Sequence, residues 1–237
     1  MKKMVGLLCA LIFSSALLFA EVNYQGDLAL NLGVGFGKAT MNDSSTGLNL
    51  DPLKQTTFDV GFESWNFFKP ADVFGVGFMA GIYGGIGKTK PLDIFSAYGV
   101  DVPSGLASNA GFSIGPAVAY YAGEKLRFAG TFGFNVGINV DTPADRQDFD
   151  AGNVEVYMAC GALPYIGFSG ELQAQYNIFK KNNLVVGYRF VNGFSNKTKI
   201  SETIKEDNNE YFDISDDFDY KYVFRKHSIF VGYSCSF

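Results

Sequence analysis

Apolar and polar or small residues alternate one by one along much of this chain. The clearest run sets Leu28, Leu30, Leu32, Val34 and Phe36 against Asp27, Ala29, Asn31, Gly33, Gly35 and Gly37. Successive side chains of a strand point to opposite faces, so such a run has one greasy face and one polar or small face. The pattern returns at Phe58–Phe62, Phe74–Ile82, Phe112–Tyr120, Leu126–Val140, Ile166–Tyr176, Leu184–Phe190 and Ile229–Phe237. No segment keeps a helical period. The eight segments predict an all-β fold of eight antiparallel strands. Several exceed the five or six residues usual in soluble sheets and suit the ~9–11 of a tilted membrane strand.

The connections alternate in length. Residues 39–55, 88–109, 141–160 and 195–221 read as long, and 66–72, 122–125 and 177–183 as short. An up-and-down transmembrane barrel in a bacterial outer membrane has short periplasmic turns and long extracellular loops in this order. Trp65, Phe67, Phe68, Tyr120, Tyr121, Tyr176 and Phe179 crowd the short turns, where an interfacial aromatic girdle is expected. A secreted β-sandwich would share the alternation, but its second face would be charged and wet. Here that face is mostly Gly, Ala, Ser and Asn, which suits a narrow lumen.

Residues 1–20 read as a signal peptide, with Lys2 and Lys3 before an apolar Val5–Phe19 run and Ala20 before the cut. Residues 21–237 then form one barrel domain. The apolar run is short for a membrane helix, and Cys9 lacks the small preceding residue of a lipid anchor. Only 18% of the residues are charged, against about 25% in typical soluble domains. The formal net charge of -5 argues against a nucleic-acid partner. Cys160 and Cys235 fall toward opposite barrel ends, so no bridge is expected between them.

The last strand, His227-Ser-Ile-Phe-Val-Gly-Tyr-Ser-Cys-Ser-Phe237, resembles the C-terminal sorting signal of outer-membrane proteins. Phe237, Tyr233, Val231 and Ile229 match its alternating apolar positions, and Cys235 departs from them. The resemblance implies recognition of Phe237 by the barrel-assembly machinery. The whole mature chain resembles the small barrels of the opacity, OmpA-barrel and OmpW kind. Within those families, roles range from adhesion and membrane integrity to small-molecule passage.

The inner face should carry Asp27, Asp59, Glu63, Arg127, Glu171 and Arg189, whose charges must be paired if dry. A symmetric turn centred on residue 180 sets Glu171 opposite Arg189, with Arg127 joining from the next strand. Such a network plugs a narrow lumen. Phe134 should face lipid and Asn135 the lumen, where an acidic partner could accept Arg in its place.

Other motifs carry less chemistry. The acidic stretch 201–221 lacks the spaced ligands and central Gly of a calcium loop and reads as a solvated surface loop, so no metal is expected. His227 and Ser228 are neighbours on a strand and face opposite ways, which disfavours a nucleophile–base pair. Gly33, Gly35 and Gly37 share a strand face with no helix following, so they are no phosphate loop.

The sequence therefore points to a non-enzymatic barrel without cofactor, embedded in outer-membrane lipid. Its loops would meet host, phage or neighbouring cells. Passage of small or hydrophobic solutes is the second class, and a lipid-modifying enzyme is a remote third.

Overall fold

The computed structural model describes residues 23–43, 53–90, 105–142, 148–149, 154–179, 181–195, 200–206, 209–216 and 220–237. The expected signal segment 1–20 lies outside the described residues, as do the side chains of Cys160 and of the acidic positions in 201–220.

Eight long strands build a cylinder: β1 (Asn23–Asp43), β2 (Leu53–Ala71), β3 (Phe74–Lys90), β4 (Gly105–Ala122), β5 (Leu126–Thr142), β7 (Val154–Phe179), β8 (Asn182–Ser195) and β11 (Tyr220–Ser236). Each pairs antiparallel with its neighbours, and β1 pairs with β11 from Asp27↔Ser236 to Asp43↔Tyr220. The sheet therefore closes on itself and has no open edge through the wall. Backbone bonds between Phe237 and Gly26 add to that seam, with Phe237 N–H donating to Gly26 O at 2.9 Å. The Phe237 ring lies where a Cβ on Gly26 would stand, 2.4 Å away, so glycine permits the contact.

The short connections lie at the end where β1 starts and β11 finishes. Residues 72–73 and 123–125 make two of them, and the third lies between Phe179 and Asn182. Gly123 takes φ +77°, a left-handed conformation that side chains with a Cβ resist.

The strands are longer than the alternation alone indicates. Residues 39–43, 66–71, 105–109 and 154–160 were expected in loops and are strand. The reason is that the ladder hydrogen bonds continue after the strict one-by-one alternation of apolar and polar residues in the sequence has ended. The 195–221 stretch is likewise not a plain loop. It contains a hairpin, β9 (Ile200–Glu206) and β10 (Asn209–Asp216), and β9 extends the wall by pairing with β7 over Val154–Cys160. A two-residue β6 (Asp148–Phe149) pairs with β7 beside it.

The outer wall is apolar. Leu32, Phe62, Ile82, Phe134, Leu172 and Val231 are all 44–66% exposed. A soluble monomer rarely shows so large an apolar surface. In hydrocarbon the same face costs nothing, and the closed ladder satisfies the backbone. Tyr24, Phe74, Tyr120, Tyr176, Phe179 and Tyr233 face outward toward the short-turn end as the girdle. Trp65 and Phe67 do not belong to it. Both are 0% exposed and point inward, and Tyr121 is half-buried at the mouth. Their parity decides this, because they continue the inward series Asp59, Gly61, Glu63 along β2.

Candidate functional site

The interior of the cylinder is where this chain concentrates its unusual chemistry. Four carboxylates, Asp27, Asp59, Glu63 and Glu171, are buried there with three cations, Arg127, Arg189 and Lys226. Buried ions must be paired and hydrogen-bonded, since effective desolvation costs several kcal/mol for each.

Three clusters do this at successive depths. Near the short-turn end, Arg127 Nη2 meets Asp27 Oδ2 at 2.5 Å and also donates to Gln175. The guanidinium lies 5.2 Å from the Phe67 ring centre. At mid-height, Arg189 Nε donates to Glu171 Oε2 at 2.7 Å, across the register pair Glu171↔Arg189. The same guanidinium also pairs with Glu63 on β2, whose Oε2 accepts from Trp65 Nε1 at 3.0 Å. Higher up, Lys226 Nζ donates to Asp59 Oδ1 at 2.7 Å and to Asn109 Oδ1 at 2.8 Å. Asp59 accepts further from Thr57 and Ser228, both at 2.6 Å.

Aromatic layers separate and cap these ions. Trp65 and Phe67 stack at 6.0 Å and pack with Met79, Ala117, Ala119 and Ala129. Toward the long-loop end, Tyr165 and Phe224 meet at 5.2 Å among Leu53, Tyr83, Val191 and Tyr222. Tyr83 lies between these worlds. Its hydroxyl donates to Asn135 Oδ1 at 2.9 Å and also meets the Tyr165 hydroxyl at 2.9 Å, while its ring centre is 5.3 Å from the Arg189 guanidinium carbon.

The expected interior residues all face inward, but their partners differ from a single cluster. Arg127 does not reach Glu171 and Arg189. It pairs with Asp27, because β1 brings a carboxylate to its depth, whereas on β7 Gln175 stands opposite Arg127 and Glu171 lies four residues further along. Lys226 is a base that the sequence reading missed. Extending the last strand upstream by its own parity, from Phe230 and Ser228, reaches it.

His227 and Ser228 point apart. His227 Nδ1 meets Tyr188 Oη at 2.5 Å on the outer face, and Ser228 points inward to Asp59. Among the described residues, no group of three or more His, Cys, Asp or Glu is placed to hold a metal ion. Cys235 is a free, exposed cysteine.

A closed eight-stranded cylinder with an apolar outer belt, short turns at one end and long connections at the other is a bacterial outer-membrane β-barrel. Among solved structures, the chain is similar to the outer membrane protein OprG of Pseudomonas aeruginosa. Identity is 12%, covering 90% of this chain and 96% of that one, with a TM-score of 0.48. It is also similar to the outer membrane protease OmpT of Escherichia coli, at 11% identity over 91% and 97% of the two chains and a TM-score of 0.47. A major outer membrane protein of Thermus thermophilus is similar at 12% identity over 89% and 99%, with a TM-score of 0.45. No protein-family model and no curated protein matches the chain.

Proposed function

We propose that this protein is a plugged, non-enzymatic outer-membrane barrel whose work is done by its extracellular end. The observation that supports this reading is the Arg189 clamp. One guanidinium joins Glu171 on β7 to Glu63 on β2, and thereby ties opposite walls across the lumen. Aromatic layers lie above and below the clamp, and the interior of an eight-stranded barrel is narrow enough for side chains to fill. The carriers of function are then the long connections and the β9–β10 hairpin, which stand above the membrane as a surface for host or environmental ligands. The outward His227 and inward Ser228 leave no nucleophile–base pair between them.

In biogenesis, Phe237, Tyr233, Val231 and Ile229 serve as the sorting signal read by the barrel-assembly machinery. The interior ions Glu171, Arg189, Arg127, Asp59 and Glu63 act as the plug, with Lys226 added to them.

Planar-bilayer recording of the purified barrel tests the plug. The expected trace is silent at moderate voltage. Steady ohmic steps would instead support passage of small solutes and reject the plugged reading.

A further inference from the structure

The short-turn end holds a cavity of about 350 Å3 that opens toward the periplasm. Backbone bonds fix its rim. Tyr121 N–H donates to Val73 O at 2.9 Å, Asn177 N–H to Lys125 O at 2.8 Å, and Ser236 N–H to Lys181 O at 2.7 Å. Lys69, Asp72, Glu124, Lys125 and Lys181 line the cavity, so both signs of charge stand around it. Lys69 Nζ lies 3.8 Å from the Tyr121 ring centre, which holds the ammonium at the wall. Arg127 and Gln175 line the same cavity and are only 5% and 2% exposed.

Arg127 is anchored through one nitrogen. Its Nη2 is shared by Asp27 Oδ2 and Gln175 Oε1, whereas Nε and Nη1 find no hydrogen-bond partner among the described residues. Gln175 is half-used in the same way. Its Oε1 accepts from Arg127 and from Ser234 Oγ, while Nε2 donates to no described group. By contrast, Asn177 Nδ2 on the cavity wall donates to Asn183 Oδ1 at 3.0 Å, and Asn183 Nδ2 donates to Ser234 Oγ at 3.1 Å. Buried donors in folded chains are almost always paired. Three unpaired donor nitrogens on two adjoining buried side chains therefore mark a place built for an acceptor from outside the fold.

We infer that this cavity is a periplasmic binding site for the terminal carboxylate of a short peptide. The carboxylate oxygens accept from Arg127 and Gln175, the first through charge-assisted hydrogen bonds. A monoanion suits the position better than phosphate, because Asp27 already offsets part of the Arg127 charge. The amino end of the same ligand meets the carboxylates of the rim. A cavity of about 350 Å3 stands at the small end of ligand sites and is more than a lone carboxylate fills. The site does not depend on the plug. Ohmic current through the barrel would reject the plug and leave peptide binding unchanged.

The test titrates the purified barrel in neutral detergent with trialanine, trialanine amide, alanine and inorganic phosphate, and reads binding by saturation-transfer NMR. Trialanine should bind about tenfold tighter than its amide, which lacks the carboxylate, and about tenfold tighter than alanine or phosphate. Gln175→Glu keeps an acceptor for Arg127 but replaces the free donor by a negative oxygen, so it should weaken trialanine about tenfold or more. Lys88→Gln, at the other end of the barrel, should bind as the wild type does. Equal binding of trialanine and its amide would overturn carboxylate recognition. Equal binding by wild type and Gln175→Glu would move the ligand away from this cavity. Alanine or phosphate binding as tightly as trialanine would reject the peptide. Should Gln175→Glu not fold, the contrast between acid and amide on the unaltered barrel still decides.

Discussion

Arg189 on β8 lies directly across from Glu171 on β7, with Nε 2.7 Å from Oε2, yet Glu171 is only one of its two carboxylate partners. Glu63 on β2 holds the other side of the guanidinium. Substituting the two members of the pair therefore has unequal consequences. Arg189→Met leaves two buried carboxylates without a cation and should cost about 3–5 kcal/mol. Glu171→Gln leaves Arg189 paired with Glu63 and keeps a neutral acceptor, so its cost should be about 1 kcal/mol, the size of one hydrogen bond. Urea unfolding in lipid vesicles measures both. Equal losses would mean that Glu63 does not share the arginine.

Inside and outside positions should answer oppositely to hydrophobic substitution. Phe134 is 47% exposed toward lipid, so Phe134→Leu should change stability by less than about 1.5 kcal/mol, whereas Phe134→Arg should cost about 2–4 kcal/mol. Asn135, fully buried, donates to Ser113 Oγ at 2.7 Å and to Phe112 O at 3.1 Å, and accepts from Tyr83. Asn135→Leu keeps much of the volume but strands these groups, at about 1–3 kcal/mol each. Asn135→Arg would displace the same three contacts. If leucine were neutral at both sites, the inward assignment of Asn135 would be wrong.

Trp65 is the single tryptophan, which makes its inward position visible by fluorescence. Its emission should be blue-shifted for a buried ring and little affected by iodide in the buffer. Lipids brominated near the headgroup should quench it weakly. Strong quenching by such lipids would return Trp65 to the girdle.

Phe237 should matter more in the cell than in the test tube. Its backbone adds only the Gly26 bonds at the seam, beyond the last β1–β11 register pairs. Deleting it should leave refolding into vesicles within about 1–3 kcal/mol of normal. The same deletion should abolish heat-modifiable barrel in the outer membrane while secretion continues. Normal amounts of folded barrel in that strain would remove Phe237 from the sorting signal.

Much of this was legible in the sequence because the strand period is two and the lipid face tolerates almost no polar residue. From Leu28 to Phe36 the alternation alone assigns both faces. The Glu171↔Arg189 register also follows from a short turn, which fixes what lies opposite. What escaped were features with no period to announce them. Residues 39–43 and 105–109 pair like the rest of the wall, but their sequence no longer alternates strictly between apolar and polar. Lys226 lay beyond the apparent start of the last strand. The choice of Asp27 for Arg127, and of Glu63 as the second partner of Arg189, depends on how far each strand slides past its neighbours around the cylinder. A list of single strands does not contain that shift.

The interior pairs also constrain the order of assembly. Lys226 meets Asp59 across 167 residues of chain, and Ser236 meets Asp27 across 209. Neither contact can form before the final strand arrives. An unclosed sheet entering the bilayer would thus expose bare carboxylates and ammonium groups to hydrocarbon along its concave side. Stepwise insertion, strand after strand, is energetically barred. The chain must instead curl and close while it crosses, so that neutralisation of the lumen and passage into the membrane become one cooperative, slow event dominated by distant contacts.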